Sequence, residues 1–231
     1  MGVFIVSVLV SVIPSLLLYF WLLKNRDNEE YKEVCKTCLV KGVLSVFLIV
    51  LVSLAFNVLG RVTNEFHLPP VLYQAYYTFI VLAFSEELVK YLTFKSILKK
   101  TDYKYDYFDA AVFMSIVGLG FGIIENITYS IGSGVIPMLI KGITLPHALY
   151  GFVLGYYYSK SMKTGNSSYR VIGFILAWLI HGLYDFGLSE ELIAINDNLV
   201  FISLGITLFE IILLIVFIHF VRKEKKAIQL G

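Results

Sequence analysis

The sequence specifies an all-α bundle of membrane-spanning helices, and three observations support that class. Hydrophobic residues make up 58% of the 231 positions and charged residues only 16%. With a mean hydropathy of +0.79, this leaves too little polar surface to clothe a water-soluble globule. The apolar residues fall in long runs, each near the ~20 residues that cross a hydrocarbon core. The runs are continuous rather than alternating, so helices, which satisfy their backbone hydrogen bonds internally, account for them and a β-barrel does not.

About seven spans, or eight, are predicted, drawn at about 3–23, 40–60, 71–95, 108–130, 135–159, 169–188 and 198–221. The first is expected to be a retained span rather than a signal peptide. No basic residue precedes it, no small-residue cleavage pattern follows it, and its apolar run exceeds an h-region. The longest polar stretch comes next, roughly Lys24 to Lys36, and is too short for a soluble domain. No internal repeat or low-complexity tract interrupts the chain.

Basic residues separate by side. The first loop carries Lys24, Arg26, Lys32, Lys36 and Lys41, and the third Lys95, Lys99, Lys100 and Lys104. The fifth has Lys160, Lys163 and Arg170 and the tail Arg222, Lys223, Lys225 and Lys226, against Arg61 alone on the opposite side. The positive-inside rule then puts the amino terminus outside and the carboxyl terminus in the cytosol, in agreement with an odd number of spans. The formal net charge of +2 adds nothing about partners; the lipid bilayer is the expected surrounding, and no nucleic-acid partner is expected.

Cys35 and Cys38 form a lone C-x-x-C, placed in a loop on the reducing side and read as bystander thiols, since a structural zinc site needs two further ligands and none is near in sequence. Asn126-Ile127-Thr128 and Asn166-Ser167-Ser168 match the glycosylation triplet. One falls within a span and the other in a cytosolic loop, so both are read as chance.

The feature that calls for explanation is a set of ionisable groups inside the apolar runs: Glu86, Glu87, Lys90, Glu125, His147, His181 and Asp185. Roughly 2.5 to 3.5 kcal/mol attaches to each charged side chain at the centre of a transmembrane helix, so such groups face a protein interior or a wet cavity and mark a reaction centre or ion path. Helical geometry puts residues three or four apart on one face. Lys90 can therefore reach both Glu86 and Glu87, and His181 shares a face with Asp185. Pro146 is expected to kink or loosen the helix before His147 and to open it locally. Gly118 with Gly122, and Gly151 with Gly155, have the spacing of close helix packing. Lys141 is read as snorkelling toward the outer interface. The run Tyr156 to Tyr158 is read as an inner aromatic belt.

Glutamate, histidine and a water molecule suggest hydrolysis: a carboxylate takes a proton from water, while imidazoles hold a metal that acidifies it or stabilise the oxyanion. The chain has no H-E-x-x-H, G-x-S-x-G or G-x-G-D motif. Any zinc site would be assembled across helices from two histidines and an acid, with an open position. A proton- or cation-coupled transporter uses the same residue types, and a non-catalytic membrane scaffold is a third reading.

Four motifs, in order, carry a resemblance: Glu86-Glu87-Leu88-Val89-Lys90, Phe121-Gly122-Ile123-Ile124-Glu125-Asn126, His147-Ala148-Leu149-Tyr150-Gly151 and His181-Gly182-Leu183-Tyr184-Asp185. The chain resembles the PrsW family of intramembrane proteases over roughly residues 71 to 188. That family is similar to the CAAX prenyl proteases and bacteriocin-processing enzymes, whose second motif usually supplies histidine where this chain has Glu125. The resemblance implies a single membrane-embedded protease domain over residues 1–231 that cleaves a membrane-anchored protein substrate. The substrate it implies is a single-pass anti-sigma factor, cut on its outer side. It also implies a catalytic set of Glu86, Glu87, Glu125, His147, His181 and Asp185, supported by Lys90 and Asn126. Within that set Glu86 and Glu87 supply the general base, and His147 and His181 serve as zinc (Zn2+) ligands or oxyanion donors. Glu125 and Asp185 are a third metal ligand or orient the others. Counting ~1.5 Å per residue from the drawn span ends puts Asp185, His181 and Glu125 roughly 5 to 10 Å below the outer end, and His147 and Glu86 roughly 18 to 23 Å.

Overall fold

The fold is given by a computed structural model that describes residues 2–24, 26–64, 68–189, 193–194, 196, 198 and 200–230. Its elements are α1 (Gly2–Leu23), α2 (Glu29–Asn64), α3 (Pro70–Tyr76), a π-helical segment (Tyr77–Phe84), α4 (Ser85–Leu98), α5 (Tyr107–Tyr129), α6 (Val135–Thr144), α7 (Pro146–Thr164), α8 (Ser168–Gly187) and α9 (Val200–Leu230). No strand occurs among the described residues.

Among the described residues, six stretches are long and apolar enough to cross a membrane: Gly2–Leu23, Glu29–Phe56, Tyr107–Tyr129, Val135–Thr164, Ser168–Gly187 and Val200–Lys223. They match six of the seven segments expected from the sequence. The expected segment at 71–95 is helical throughout, but the π-helical segment divides it and Glu86, Glu87 and Lys90 interrupt its apolar run. Two other details differ from expectation. Helix α2 begins at Glu29, so Cys35 and Cys38 lie in a helix and are buried rather than in a loop. The segment at 135–159 is two helices, not one.

The division follows from local chemistry. Pro146 offers no N–H, and its ring clashes with a helical conformation in the residue before it. Leu145 accordingly takes the left-handed conformation, φ 52° and ψ 49°, at a cost of about 1–2 kcal/mol for a residue with a Cβ. Its N–H still bonds the Lys141 carbonyl, and its own carbonyl accepts from Ala148, so little backbone hydrogen bonding is lost at the break. The opening is small: the cavity beside His147 and Pro146 measures about 10 Å³, room for about one water.

Helix α5 is the centre of the bundle; 83% of its apolar stretch is buried, against 11% for that of α2. Glycines set its distance from α7. A Cβ on Gly118 would strike the His147 carbonyl, one on Gly151 would lie 2.5 Å from the Met114 carbonyl oxygen, and one on Gly155 would lie 2.9 Å from the Ala111 Cα. The pairs 118 with 147, 114 with 151 and 111 with 155 step in opposite directions, so α5 and α7 are antiparallel and in backbone contact. Helix α8 runs antiparallel to the π segment and α4: Gly182 meets the Phe79 ring, Phe84 packs on Trp178 and Phe174, and Tyr91 meets Phe174. At the other end of the bundle, Asp106 and Asp109 close a reciprocal capping box on α5. Arg26 pairs with both carboxylates, and Tyr103 donates to Asp109 at 3.1 Å.

These contacts make Gly118 the most demanding position in the bundle. Gly118→Val is expected to cost upwards of about 1–3 kcal/mol of stability in detergent through overpacking and to separate α5 from α7. Gly2→Val, with nothing within 4 Å, is the matched control. Unfolding of both variants by SDS titration checks this.

Candidate active site

The polar centre is built where the π segment, α4, α5, α7 and α8 meet. The π segment ends at Phe84, so Glu86 and Glu87 sit in the first turn of α4, and the Phe79 carbonyl accepts from the Trp178 indole at 2.6 Å. That bond joins the π segment to α8 shortly before His181.

Lys90 is 0% exposed and joins the charged groups. Its ammonium donates to Glu87 Oε1 at 2.6 Å and to His147 Nδ1 at 3.0 Å, lies 3.9 Å from Glu86 Oε2, and stands 4.5 Å from the centre of the Phe121 ring. A lysine ammonium can only donate, so His147 Nδ1 accepts and the ring hydrogen is on Nε2. That hydrogen points to Glu125 Oε2, with which Nε2 forms a close hydrogen bond. Lys141 donates to the same oxygen at 2.9 Å and lies 4.1 Å from the centre of the Tyr129 ring. The snorkelling role expected for Lys141 is therefore replaced by an ion pair inside the bundle. The break at Leu145 turns α6 so that its side chain returns to α5.

His181 is encircled by acids. Its Nδ1 donates to Glu87 Oε1 at 2.9 Å, while Nε2 lies 3.2 Å from Asp185 Oδ2 and 3.7 Å from Glu86 Oε2. The two imidazoles meet edge to face, 5.2 Å between ring centres. Glu87 is thus held by two donors through Oε1, while its own Oε2 and the Oε2 of Glu86 are both buried without a hydrogen bond among the described residues. The expected reach of Lys90 to both glutamates and the shared face of His181 and Asp185 are present at these distances.

The separate depths expected for Glu125 and His147 are not observed at the level of their side chains. The His147 backbone does lie beside Gly118, two turns from Glu125. Helical side chains lean toward the N-terminus of their own helix, and α5 and α7 are antiparallel, so Glu125 and His147 lean toward each other and close the gap. Counting residues along straight spans could not capture this.

Glu86, His147 and His181 each offer a ligand atom within 4.8 Å of the others, and all three are buried, so these three could hold a metal ion. Glu125 and Asp185 lie behind the rings, each against an Nε2. Asn126 points away from this centre, donating to the Ser11 carbonyl of α1 at 3.2 Å. Two further groups were not singled out from the sequence. Tyr150 stacks on His181, with ring centres 4.9 Å apart and planes at 23°, and its hydroxyl donates to Glu210 Oε1 at 2.5 Å. Glu210 is the sole carboxylate in the last apolar segment, so the rule that picked out the other buried acids would have found it.

A bundle of apolar helices around two histidines and four acids places the chain among multi-pass membrane proteins with a buried polar centre. Comparison with known proteins makes the class specific. The PrsW family intramembrane metalloprotease profile matches residues 29–220, and the chain belongs to that family. It is similar to Protease PrsW of Oceanobacillus iheyensis, 27% identical over 181 residues, covering 76% of this chain and 80% of the relative. Protease PrsW of Clostridioides difficile is 29% identical over 198 residues, with 79% of each chain covered. The Halalkalibacterium halodurans protein of the same name is 30% identical over 177 residues, covering 74% of this chain and 77% of the relative. No solved structure matches. Family membership leaves the carrier reading without support.

Because Lys90 carries the charge that both Glu87 and His147 share, Lys90→Met is expected to destabilise the bundle by about 3–5 kcal/mol, as when one partner of a buried pair is removed. Lys90→Arg should lose less. Melting temperatures of the two variants in detergent test the ranking.

Proposed function

We propose that this chain is an intramembrane endopeptidase whose catalytic base is Glu86. The observation that carries the reading is that Glu86 groups with both histidines and keeps a buried Oε2 free of hydrogen bonds among the described residues, whereas Glu87, whose Oε2 is also unbonded, has its other oxygen engaged by both Lys90 and His181. Glu87, locked onto Lys90 and His181, is assigned to holding charge rather than moving protons. In this scheme Glu86 holds the attacking water and takes its proton as the water oxygen bonds to the scissile carbonyl carbon. His181 and Lys90 offset the charge that develops on the carbonyl oxygen. The proton then passes from Glu86 to the leaving amide nitrogen as the C–N bond breaks. General acid–base assistance of this kind contributes about 10²- to 10⁴-fold.

The residues fit a divalent cation. Four carboxylates, Glu86, Glu87, Glu125 and Asp185, face two ammonium groups, Lys90 and Lys141, a formal surplus of two negative charges in a poorly solvated place. Nitrogen and oxygen donors from His147, His181 and Glu86 suit zinc. The carboxylates behind the rings are the usual partners of metal-binding imidazoles. When bound, zinc would acidify water and polarise the scissile carbonyl. His147 and His181 would hold it through Nδ1, in place of their present contacts there with Lys90 and Glu87, with Glu125 and Asp185 orienting the rings from the Nε2 side.

The substrate proposed is a single-pass membrane protein of the anti-sigma-factor kind, cut near the outer face. Glu125, His147 and Asp185 lie toward one end of α5, α7 and α8, and the basic-residue pattern puts that end outside, with the carboxyl terminus in the cytosol. The whole chain is proposed to act as one protease domain around the core at 71–188.

Proteoliposomes carrying the enzyme and a single-pass substrate test this. Wild type should release a fragment whose new end lies in the outer half of the substrate span, and Glu86→Gln should lower kcat by about 10²- to 10⁴-fold. Equal cleavage by Glu86→Gln would end the assignment. Metal analysis of purified protein should find near-stoichiometric zinc that is lost in His147→Ala and His181→Ala. Absence of metal from an active wild type would leave Glu86 and the histidines acting alone.

A further inference from the structure

One buried carboxylate has no part in the scheme above. Glu210 lies in α9 and is 0% exposed. Helix α9 meets the bundle along a narrow face with a seven-residue repeat. Ser203 donates to the Tyr184 carbonyl at 2.8 Å, Glu210 accepts from Tyr150, and Phe217 packs 4.6 Å from Phe152. Leucine or phenylalanine would serve such a seam at no electrostatic cost. A carboxylate in its centre, with Oε2 lacking a hydrogen-bond partner among the described residues, is expensive and calls for a reason beyond packing.

Tyr150 supplies the link. It follows His147 by one turn of α7, so both side chains share a face. Its ring stacks on His181 and meets His147 edge-on at 5.8 Å and 85°. The residue is 1% exposed and its only polar side-chain atom is the hydroxyl. The hydrogen bond that this hydroxyl donates to Glu210 fixes the far edge of the ring. Without it, only apolar contacts would hold the surface on which the His181 imidazole rests.

We infer that Glu210 is a positioning residue of the candidate active site, fixing through the Tyr150 hydroxyl the aromatic ring on which His181 stacks. Glu210 touches neither substrate nor reacting atoms. It sets the tilt of one imidazole from the last helix of the chain. The kinetic side of this inference rests on the proposed proteolytic reading, while the structural side does not, and the experiment separates them.

Tyr150→Phe, Glu210→Leu, Glu210→Gln and the Tyr150→Phe/Glu210→Leu double variant are compared with wild type in detergent, each labelled with 13C-histidine for NMR. Glu210→Leu and Tyr150→Phe should shift the His181 ring resonances and lower kcat about tenfold with little change in KM, and the double variant should be no worse than either, as expected for residues acting as one unit. Glu210→Gln, whose amide oxygen still accepts from the hydroxyl, should keep the wild-type spectrum and most of the rate. A wild-type His181 resonance and rate in Glu210→Leu overturns the inference, as does a change confined to melting temperature. If Glu210→Leu does not fold, Tyr150→Phe carries the same readouts. If wild type cleaves nothing, the proteolytic reading fails, and the resonances still decide the role of Glu210.

Discussion

The ammonium of Lys90 is the interaction on which the polar centre depends. Four acids and two imidazoles are packed into helices that would be apolar without them, and a carboxylate deprived of water is tolerated only beside compensating charge or hydrogen-bond donors. Lys90 meets that demand for Glu87 at 2.6 Å and reaches His147 at 3.0 Å. It thereby settles the hydrogen on the opposite side of the His147 ring and so the bond to Glu125. Lys141 plays the matching part for Glu125 from α6. The two lysines pair with Glu87 and Glu125, and beside them Glu86, His147 and His181 form a buried group that could hold a metal ion.

Bringing those groups together requires helices closer than ordinary side chains permit. Glycines on both α5 and α7 let the backbones touch, and the antiparallel direction makes Glu125 and His147 incline toward one another. The left-handed Leu145 turns the chain so that α6 can deliver Lys141 while α7 begins with His147 near its first turn. The strain at that single residue is small beside the burial of the charged groups it helps to pair. On the opposite face of His181 the Tyr150 ring, bonded to Glu210, completes the enclosure.

Much of this was legible in the chain. Continuous apolar runs identify helices because a membrane admits few other structures, and six of the seven segments drawn from them correspond to apolar helical stretches. Charged residues within those runs stand out because each is costly, and that cost alone marks Glu86, Glu87, Lys90, Glu125, His147, His181 and Asp185. The same criterion applied to the last segment marks Glu210 as well. Pairs on one helix, such as Lys90 with Glu87 or His181 with Asp185, follow from the 3.6-residue period.

By itself, then, the sequence determined the helical membrane class, a disturbed helix at Pro146, the charged groups in need of partners and the partners available within a turn, since all of these depend on local geometry or on the cost of leaving water. Only the tertiary structure decided the pairs between helices. Lys141 with Glu125, Lys90 with His147, His181 with Glu87, and Tyr150 with Glu210 join residues from 16 to 94 positions apart. Their meeting depends on helix direction, glycine-set spacing and the lean of each side chain, quantities that no residue count along a straight span contains.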